Sequence, residues 1–267
     1  MSAISKSDVV EYAKVYNFIW YTPRNSPDFD ELVELIYEDV KKLPYETLKR
    51  KADGGDYDSI LQLAMRSYTG CGVPEGTYGP AYLMKKIPNE PSVPRPIRAR
   101  VFSYLAYVCW DRRESTPGTL NVANVYRGAM CANAASALGY ACNIVLLTSI
   151  FAHDCGFDNP ATSTWGNRDA LAQYSFDGFT DLWRVKAEMD RVRGLGLADD
   201  DESRDEFAAR FGPDAYVCAT VDCWIEATPS APLFRCTGRC IPHLKPLYCC
   251  VEHQKDDWRK HRLLCKW

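Results

Sequence analysis

The sequence predicts a mainly α protein, a helical body followed by a small finger held together by metal. Three observations carry that expectation. Apolar residues recur at three- and four-residue steps through most of the chain before Gly194, strand-like alternation is scarce, and cysteine and histidine come in pairs between Cys218 and Cys265. The pairs are Cys218 and Cys223, Cys236 and Cys240, Cys249 and His253, and His261 and Cys265. Together they supply the number of ligands that two closed tetrahedral zinc sites require.

The first helix is expected from Val9, Tyr12, Ala13, Tyr16, Ile19 and Trp20, with Ser7 as N-cap and Pro23 ending it. A second follows Ser26 as N-cap and Pro27 at the first helical position. It carries Phe29, Leu32, Val33, Ile36, Val40 and Leu43 on one face and stops at Pro44. Gly55-Asp56 opens a third helix marked by Ile60, Leu63, Ala64 and Tyr68, the turn Gly70-Cys71-Gly72-Val73-Pro74 closes it, and 80–86 forms its hairpin partner. A Pro-rich connection from Pro88 to Pro96 leads to the apolar run Val101, Leu105, Val108 and Cys109, and Asp111 to Gly118 reads as a polar loop. Helices are then expected over 122–138, 140–152 and 181–192, with a loop over 154–167. Gly194 to Glu206, with Asp199-Asp200-Asp201-Glu202, reads as a solvated linker, because its acids lack the alternating spacing and central glycine of a calcium loop. A short helix from Arg204 to Phe211 and the turn Gly212-Pro213 close the body, which places a helical domain at 1–212 and the finger at 213–267.

The chain has 267 residues and a net charge of -3, so its bulk electrostatics ask for neither nucleic acid nor an anionic membrane. Gly128 to Ala152 contains no charged residue, but its first half is rich in Ala, Ser and Asn and its strongly apolar part, Ile144 to Ala152, is short. Buried helices are expected there, not a membrane span. The start, Met1 to Trp20, lacks the pattern of a secretory signal, so a reducing cytoplasmic or nuclear setting is expected and clustered Cys and His read as metal ligands. Cys71, Cys109, Cys131, Cys142 and Cys155 have no matching spacing and read as buried, unreactive thiols.

From Leu247 to Trp267 there is no Gly or Pro, and the two ligand pairs there each sit four residues apart, as on one face of a helix. On an unbroken helix His253 and His261 stand about 12 Å apart. Ligands of one zinc lie only about 2 Å from the metal, so each pair must recruit one of the upstream pairs. Helix geometry leaves both choices of partner open. Apolar residues in the finger are few, chiefly Leu233, Phe234, Leu244, Leu247 and Leu263, so metal must supply most of its folding free energy. Cys250, turned about 100° from Cys249 on a helix, and His243 read as non-ligands.

Two stretches carry family resemblances. Gly55-Asp56, Tyr68, Gly70, Gly72-Val73 and Ala81 resemble one Sel-one-like repeat, a relative of the tetratricopeptide repeat, over residues near 52–87. The string Cys236-x3-Cys240, Tyr248-Cys249, His253-Gln254, Asp257-Trp258 and His261-x3-Cys265 is similar to a MYND-type zinc finger, with spacings and a Lys245-Pro246 most like fungal versions. His253 stands where that family usually has Cys, a substitution zinc accepts, and Cys250 where it often has Ser. The resemblance implies cross-bracing: Cys218, Cys223, Cys249 and His253 on one zinc, and Cys236, Cys240, His261 and Cys265 on the other.

What the resemblance implies about function is a non-enzymatic adaptor whose finger binds short proline-containing peptides in a shallow groove with Gln254 and Trp258, and whose helical body offers a second protein-binding surface. No small-molecule substrate is evident. Other classes fit less well. A RING finger ends in Cys-x2-Cys, and a hydrolytic zinc site needs an open position and a placed base. A lysine methyltransferase of SET type would carry a cofactor-binding string that is absent from the sequence. For a zinc-dependent nucleic-acid-binding or transcription-regulatory protein, Lys255, Arg259, Lys260, Arg262 and Lys266 give some positive charge that Asp256 and Asp257 offset. His153-Asp154 with Cys155 is the one polar cluster noted in the body, and no spacing places a base against a nucleophile there.

Overall fold

The computed structural model describes residues 4–21, 27–74, 84, 87–90, 92–116, 119–155, 174, 178–194, 218–220, 223, 225–228, 231–238, 245–262 and 265. Within them the body is built from α1 (Lys6–Trp20), α2 (Phe29–Lys42), α3 (Tyr45–Asp53), α4 (Tyr57–Thr69), α5 (Arg95–Asp111), α6 (Val122–Ala137), α7 (Asn143–Asp154) and α8 (Thr180–Gly194), with a short antiparallel pair, β1 (Glu114–Thr116) and β2 (Thr119–Leu120), between α5 and α6. The finger contributes β3 (Phe234–Arg235), β4 (Leu247–Tyr248) and α9 (Val251–His261). The expected architecture, a predominantly helical body followed by a small cross-braced region, is what the structure has.

Apolar spacing set which faces meet. Val9, Tyr12, Ala13 and Ile19 of α1 and Leu32, Ile36 and Val40 of α2 are buried, as are Leu61 and Met65 of α4. The most extensive helix contact joins α5 to α6. Gly128 makes it close: a Cβ there would lie 3.3 Å from Cys109 Cβ. Ala129, Ala132 and Ala135 continue that small-residue face and are fully buried.

The uncharged run Gly128 to Ala152 folds as parts of α6 and α7, broken at Gly139 with φ +82°. Its two asparagines each serve a neighbouring helix. Asn133 Oδ1 accepts from the Leu182 N–H of α8 at 2.9 Å, and Asn143 donates from its backbone N–H to Tyr21 O at 2.8 Å. Among the described residues no helix is long and apolar enough to cross a membrane.

Several boundaries differ from the sequence reading. Helix α1 starts at Lys6, so Ser7 lies inside it and Ser5 is the N-cap. Helix α2 starts two residues past Pro27, because the Asp28 carboxylate accepts from the Asp30 and Glu31 N–H groups and takes over the capping role assigned to Ser26. Asp30 and Glu31 in the first turn and Lys41 and Lys42 in the last complement the helix dipole. Pro44 does end α2, but it is also the N-cap of α3, a helix the sequence reading missed. The hairpin seen is therefore α3–α4, turning at Gly54 and at Gly55, whose φ is +86°. Of the expected partner helix at 80–86 only Met84, fully buried, is among the described residues. Helix α5 begins at Arg95 with Pro96 in its first turn, inside the stretch read as a connection. The loop read at 111–118 contains β1. The linker at 194–206, the short helix at 204–211 and the turn at 212–213 lie outside the described residues beyond Gly194.

Candidate metal centre

The finger is organised by α9 and the strand pair that precedes it. Phe234 pairs with Tyr248 and Arg235 with Leu247, and Cys236 donates its N–H to Pro246 O at 3.1 Å. On the other edge of β4, Ala219 donates to Leu247 O at 2.8 Å, which brings the 218–223 segment alongside. Tyr248, 1% exposed, donates to Asp257 Oδ2 at 2.7 Å and so ties β4 to α9.

This corrects the expected unbroken helix from Leu247. Pro246 precedes two residues that pair as a strand, Cys249 lies in the turn, and Cys250 is the N-cap of α9 in extended backbone. Each ligand pair thus straddles one end of α9: Cys249 stands before it and His253 within it, His261 at its end and Cys265 beyond. The separation of His253 from His261 along the helix survives the correction.

Four side chains meet at the first cluster. Cys218, Cys223, Cys249 and His253 place their ligand atoms within 4.8 Å of one another. His253 Nδ1 lies 3.2 Å from Cys249 Sγ and 3.6 Å from Cys218 Sγ, and Cys223 Sγ lies 3.6 Å from Cys249 Sγ. Sulfurs held about 2.3 Å from a tetrahedral ion stand about 3.8 Å apart, so the set has the dimensions of a four-ligand tetrahedral metal site. At the second cluster Cys236, His261 and Cys265 come together, with Cys236 Sγ 3.8 Å from Cys265 Sγ and 3.2 Å from His261 Nε2. Cys240, the fourth ligand assigned there, and His243 lie outside the described residues. The two histidines face their clusters through different ring nitrogens.

The ligand groups of the first cluster perturb one another strongly. Hydrogen bonds from Cys223 and Cys249 pull the Cys218 thiol strongly down, hydrogen bonding to Cys218 and Cys223 pushes Cys249 strongly up, and the thiols beside His253 raise its imidazole to about 10. Three sulfurs so close cannot all ionise on their own, because like charges repel. A divalent ion held there would remove the conflict by taking all three as thiolates. Cys250 Sγ sits 3.9 Å from Cys249 Sγ but is not among the converging ligands.

The remaining thiols differ. Burial raises Cys71 and Cys142 to about 11 and Cys131 and Cys155 to about 12, which keeps them protonated and weakly nucleophilic. Gln254 and Trp258 sit one turn apart on α9, both half-buried, and Trp258 meets His261 edge-on at 6.0 Å between ring centroids. Phe234 and Val251 are 60% and 54% exposed, an unusual outlay of apolar surface for so small a region. The finger also docks on the body through Arg95, Gly139, Glu226 and Thr228, none of which the sequence reading singled out. The one available signal was Gly139, a lone glycine between two helical runs.

In comparisons with protein-family models, curated proteins and solved structures, nothing matches this chain.

Proposed function

We propose that the finger is a structural two-zinc module that recognises protein, and that the whole chain is a non-enzymatic adaptor. The observation that carries this reading is the closed first cluster, in which four ligand side chains surround one point and leave no coordination position for substrate or activated water. For the second site, where Cys236, His261 and Cys265 converge, the fourth ligand we assign is Cys240, on the strength of the resemblance. The similarity to MYND fingers rests on the residues Tyr248-Cys249, His253-Gln254, Asp257-Trp258 and His261-x3-Cys265, and from it comes the ligand class, a short proline-containing peptide. Gln254 supplies hydrogen-bonding groups and Trp258 an aromatic face, with exposed Phe234 and Val251 on the same small module as apolar area. A proline-rich segment suits such a surface because it is already extended and loses little entropy on docking. The helical body, with its Sel-one-like stretch, serves as the second protein-binding surface.

The test is a peptide array probed with the intact zinc-loaded chain, with a chelated sample and with Trp258→Ala. Binding to proline-containing peptides that is lost in both of the latter supports the reading. Binding to no such peptide, or salt-sensitive binding to duplex DNA in its place, sinks it.

A further inference from the structure

The first cluster is carried by a segment that is fastened to the helical body by polar contacts unrelated to the ligands. Arg95, at the start of α5, directs its guanidinium at three carbonyls: Nε donates to Leu138 O at 2.8 Å, Nη2 to Glu226 O at 2.7 Å and Nη1 to Pro232 O at 3.2 Å. Leu138 caps the C-terminus of α6, whereas Glu226 and Pro232 belong to the finger. Two further bonds cross the same junction. Glu226 donates its N–H to Gly139 O at 2.8 Å, and Thr228 Oγ1 donates to Ala137 O at 2.7 Å. Carbonyls at the end of α6, which lack partners within the helix, are thus satisfied by the finger and by Arg95.

Gly139 shows how closely the two parts approach. A Cβ on it would lie 1.9 Å from Glu226 O, and its φ of +82° suits glycine. From Glu226 the connection to the metal ligands is one residue long. Ile225, 1% exposed, accepts the Cys218 N–H on its carbonyl at 2.9 Å, and Cys223 donates its own N–H to Thr220 O. Thr220 Oγ1 in turn donates to His253 O at 3.0 Å. Every ligand of the first cluster except Cys249 is therefore held by a strand of bonds that starts at the α6–α7 corner, and Cys249 joins it by donating its N–H to Cys218 Sγ at 3.5 Å.

Charge adds a second reason. Three thiolates and a neutral imidazole around a divalent ion would leave one net negative charge; burial pushes the Arg95 guanidinium down, and the nearby sulfurs of Cys249, Cys223 and Cys218 act against that by favouring its charged form.

We propose that Arg95 and the α6–α7 corner are the outer support of the first metal cluster, so that metal binding there and docking of the finger on the helical body form one coupled equilibrium. The inference rests on the metal reading and is independent of the peptide. Its consequence is reciprocal: the metal orders the corner of the body, and the docked body tightens the metal. Arg95 is a positioning residue, since it touches no ligand atom. The described ligands of the second cluster, Cys236, His261 and Cys265, meet this support less directly, through Pro232, four residues before Cys236.

The test uses the full chain and reads each cluster separately. Zinc-loaded protein is titrated with a competing chelator, and alkylation of Cys218, Cys223 and Cys249 is compared with that of Cys236 and Cys265 by peptide mass spectrometry. Arg95→Met, which keeps most of the aliphatic stem, is expected to release the first metal about 10-fold more readily, in the range found when the outer partners of metal ligands are removed. The second cluster should keep its wild-type midpoint. A measurement on the wild-type chain guards against a variant that misfolds: hydrogen exchange at Gly139, Tyr140 and Asn143 should speed up on chelation while α1 and α4 stay protected. Equal alkylation midpoints in wild type and Arg95→Met, or corner amides indifferent to chelation, overturn the coupling. A wild-type chain that takes up no metal overturns it by removing the metal reading itself, an outcome distinct from the other two.

Discussion

Of the largest fully buried side chains, Ile19, Leu32, Leu48, Leu61, Met65, Ile144 and Leu182 lie in the helical body, whereas the finger contributes Ile225 and Tyr248. At about 1.5–3 kcal/mol per buried large apolar side chain, these two among the described residues cannot offset the ordering of the described finger backbone at about 1–2 kcal/mol per residue. The body meets that cost with interlocked helix faces. The finger exposes Phe234 and Val251 and gathers seven described ligand side chains in two clusters suited to hold metal. Two regions of one chain thus differ in what can hold them, and perturbations that act on one should leave the other standing, apart from the α6–α7 corner that Arg95 and Thr228 join to the finger.

Removing metal is the harshest way to break the comparison. Structural zinc contributes on the order of 10 kcal/mol to small modules, so a strong chelator should unfold the finger outright. The far-UV circular dichroism of α1 to α8 should persist, while exchange protection in α9 disappears. Cys249→Ala should lower the metal stoichiometry by one ion, since it removes one of four ligands at the first cluster. Identical melting curves with and without chelator would show that the finger has another source of order.

The reverse perturbation is Leu61→Ala. Leu61 is fully buried in α4, and truncating such a residue costs about 2–5 kcal/mol. The melting midpoint of the body should fall while the metal content of the folded chain stays the same. Loss of zinc in Leu61→Ala at temperatures where the helices remain folded would mean that the core and the clusters are not separable.

How much of this was legible in the sequence follows the same division. The positions of α2, α6 and α8 were readable because apolar residues at helical spacing state which face is buried; that Cys/His pairs would gather in two clusters was readable from residue type and helix spacing, while the choice of which pair joins which came only with the resemblance. Helix α3 was hidden: Leu48 and Ala52 are its buried residues, too few to show a period, and Pro44 reads as a stop from one side and a start from the other. The strand at Leu247–Tyr248 was hidden because absence of Gly and Pro suits strand and helix alike, and its pairing with Phe234–Arg235 is a tertiary choice. Docking through Arg95 was invisible, since its three acceptors are backbone carbonyls, which every sequence contains.

The finest test sets two deletions of similar size in the two regions. Asp28→Ala removes the side chain that caps α2 through the Asp30 and Glu31 N–H groups, a loss of about 1 kcal/mol. In a chain of this size that should lower the melting midpoint of the body by about 2–4 °C. Tyr248→Phe removes the hydroxyl that donates to Asp257 at 2.7 Å and costs a similar amount, about 1 kcal/mol. Because Tyr248 joins the strand before Cys249 to the helix that carries His253 and His261, its loss should appear as metal affinity weakened up to about 5-fold, with the body melt unmoved. Asp28 touches neither cluster, so its variant should titrate with chelator like wild type. If Tyr248→Phe lowered the body melt, or Asp28→Ala loosened the metal, order would be shared across the chain more widely than the Arg95 junction alone provides.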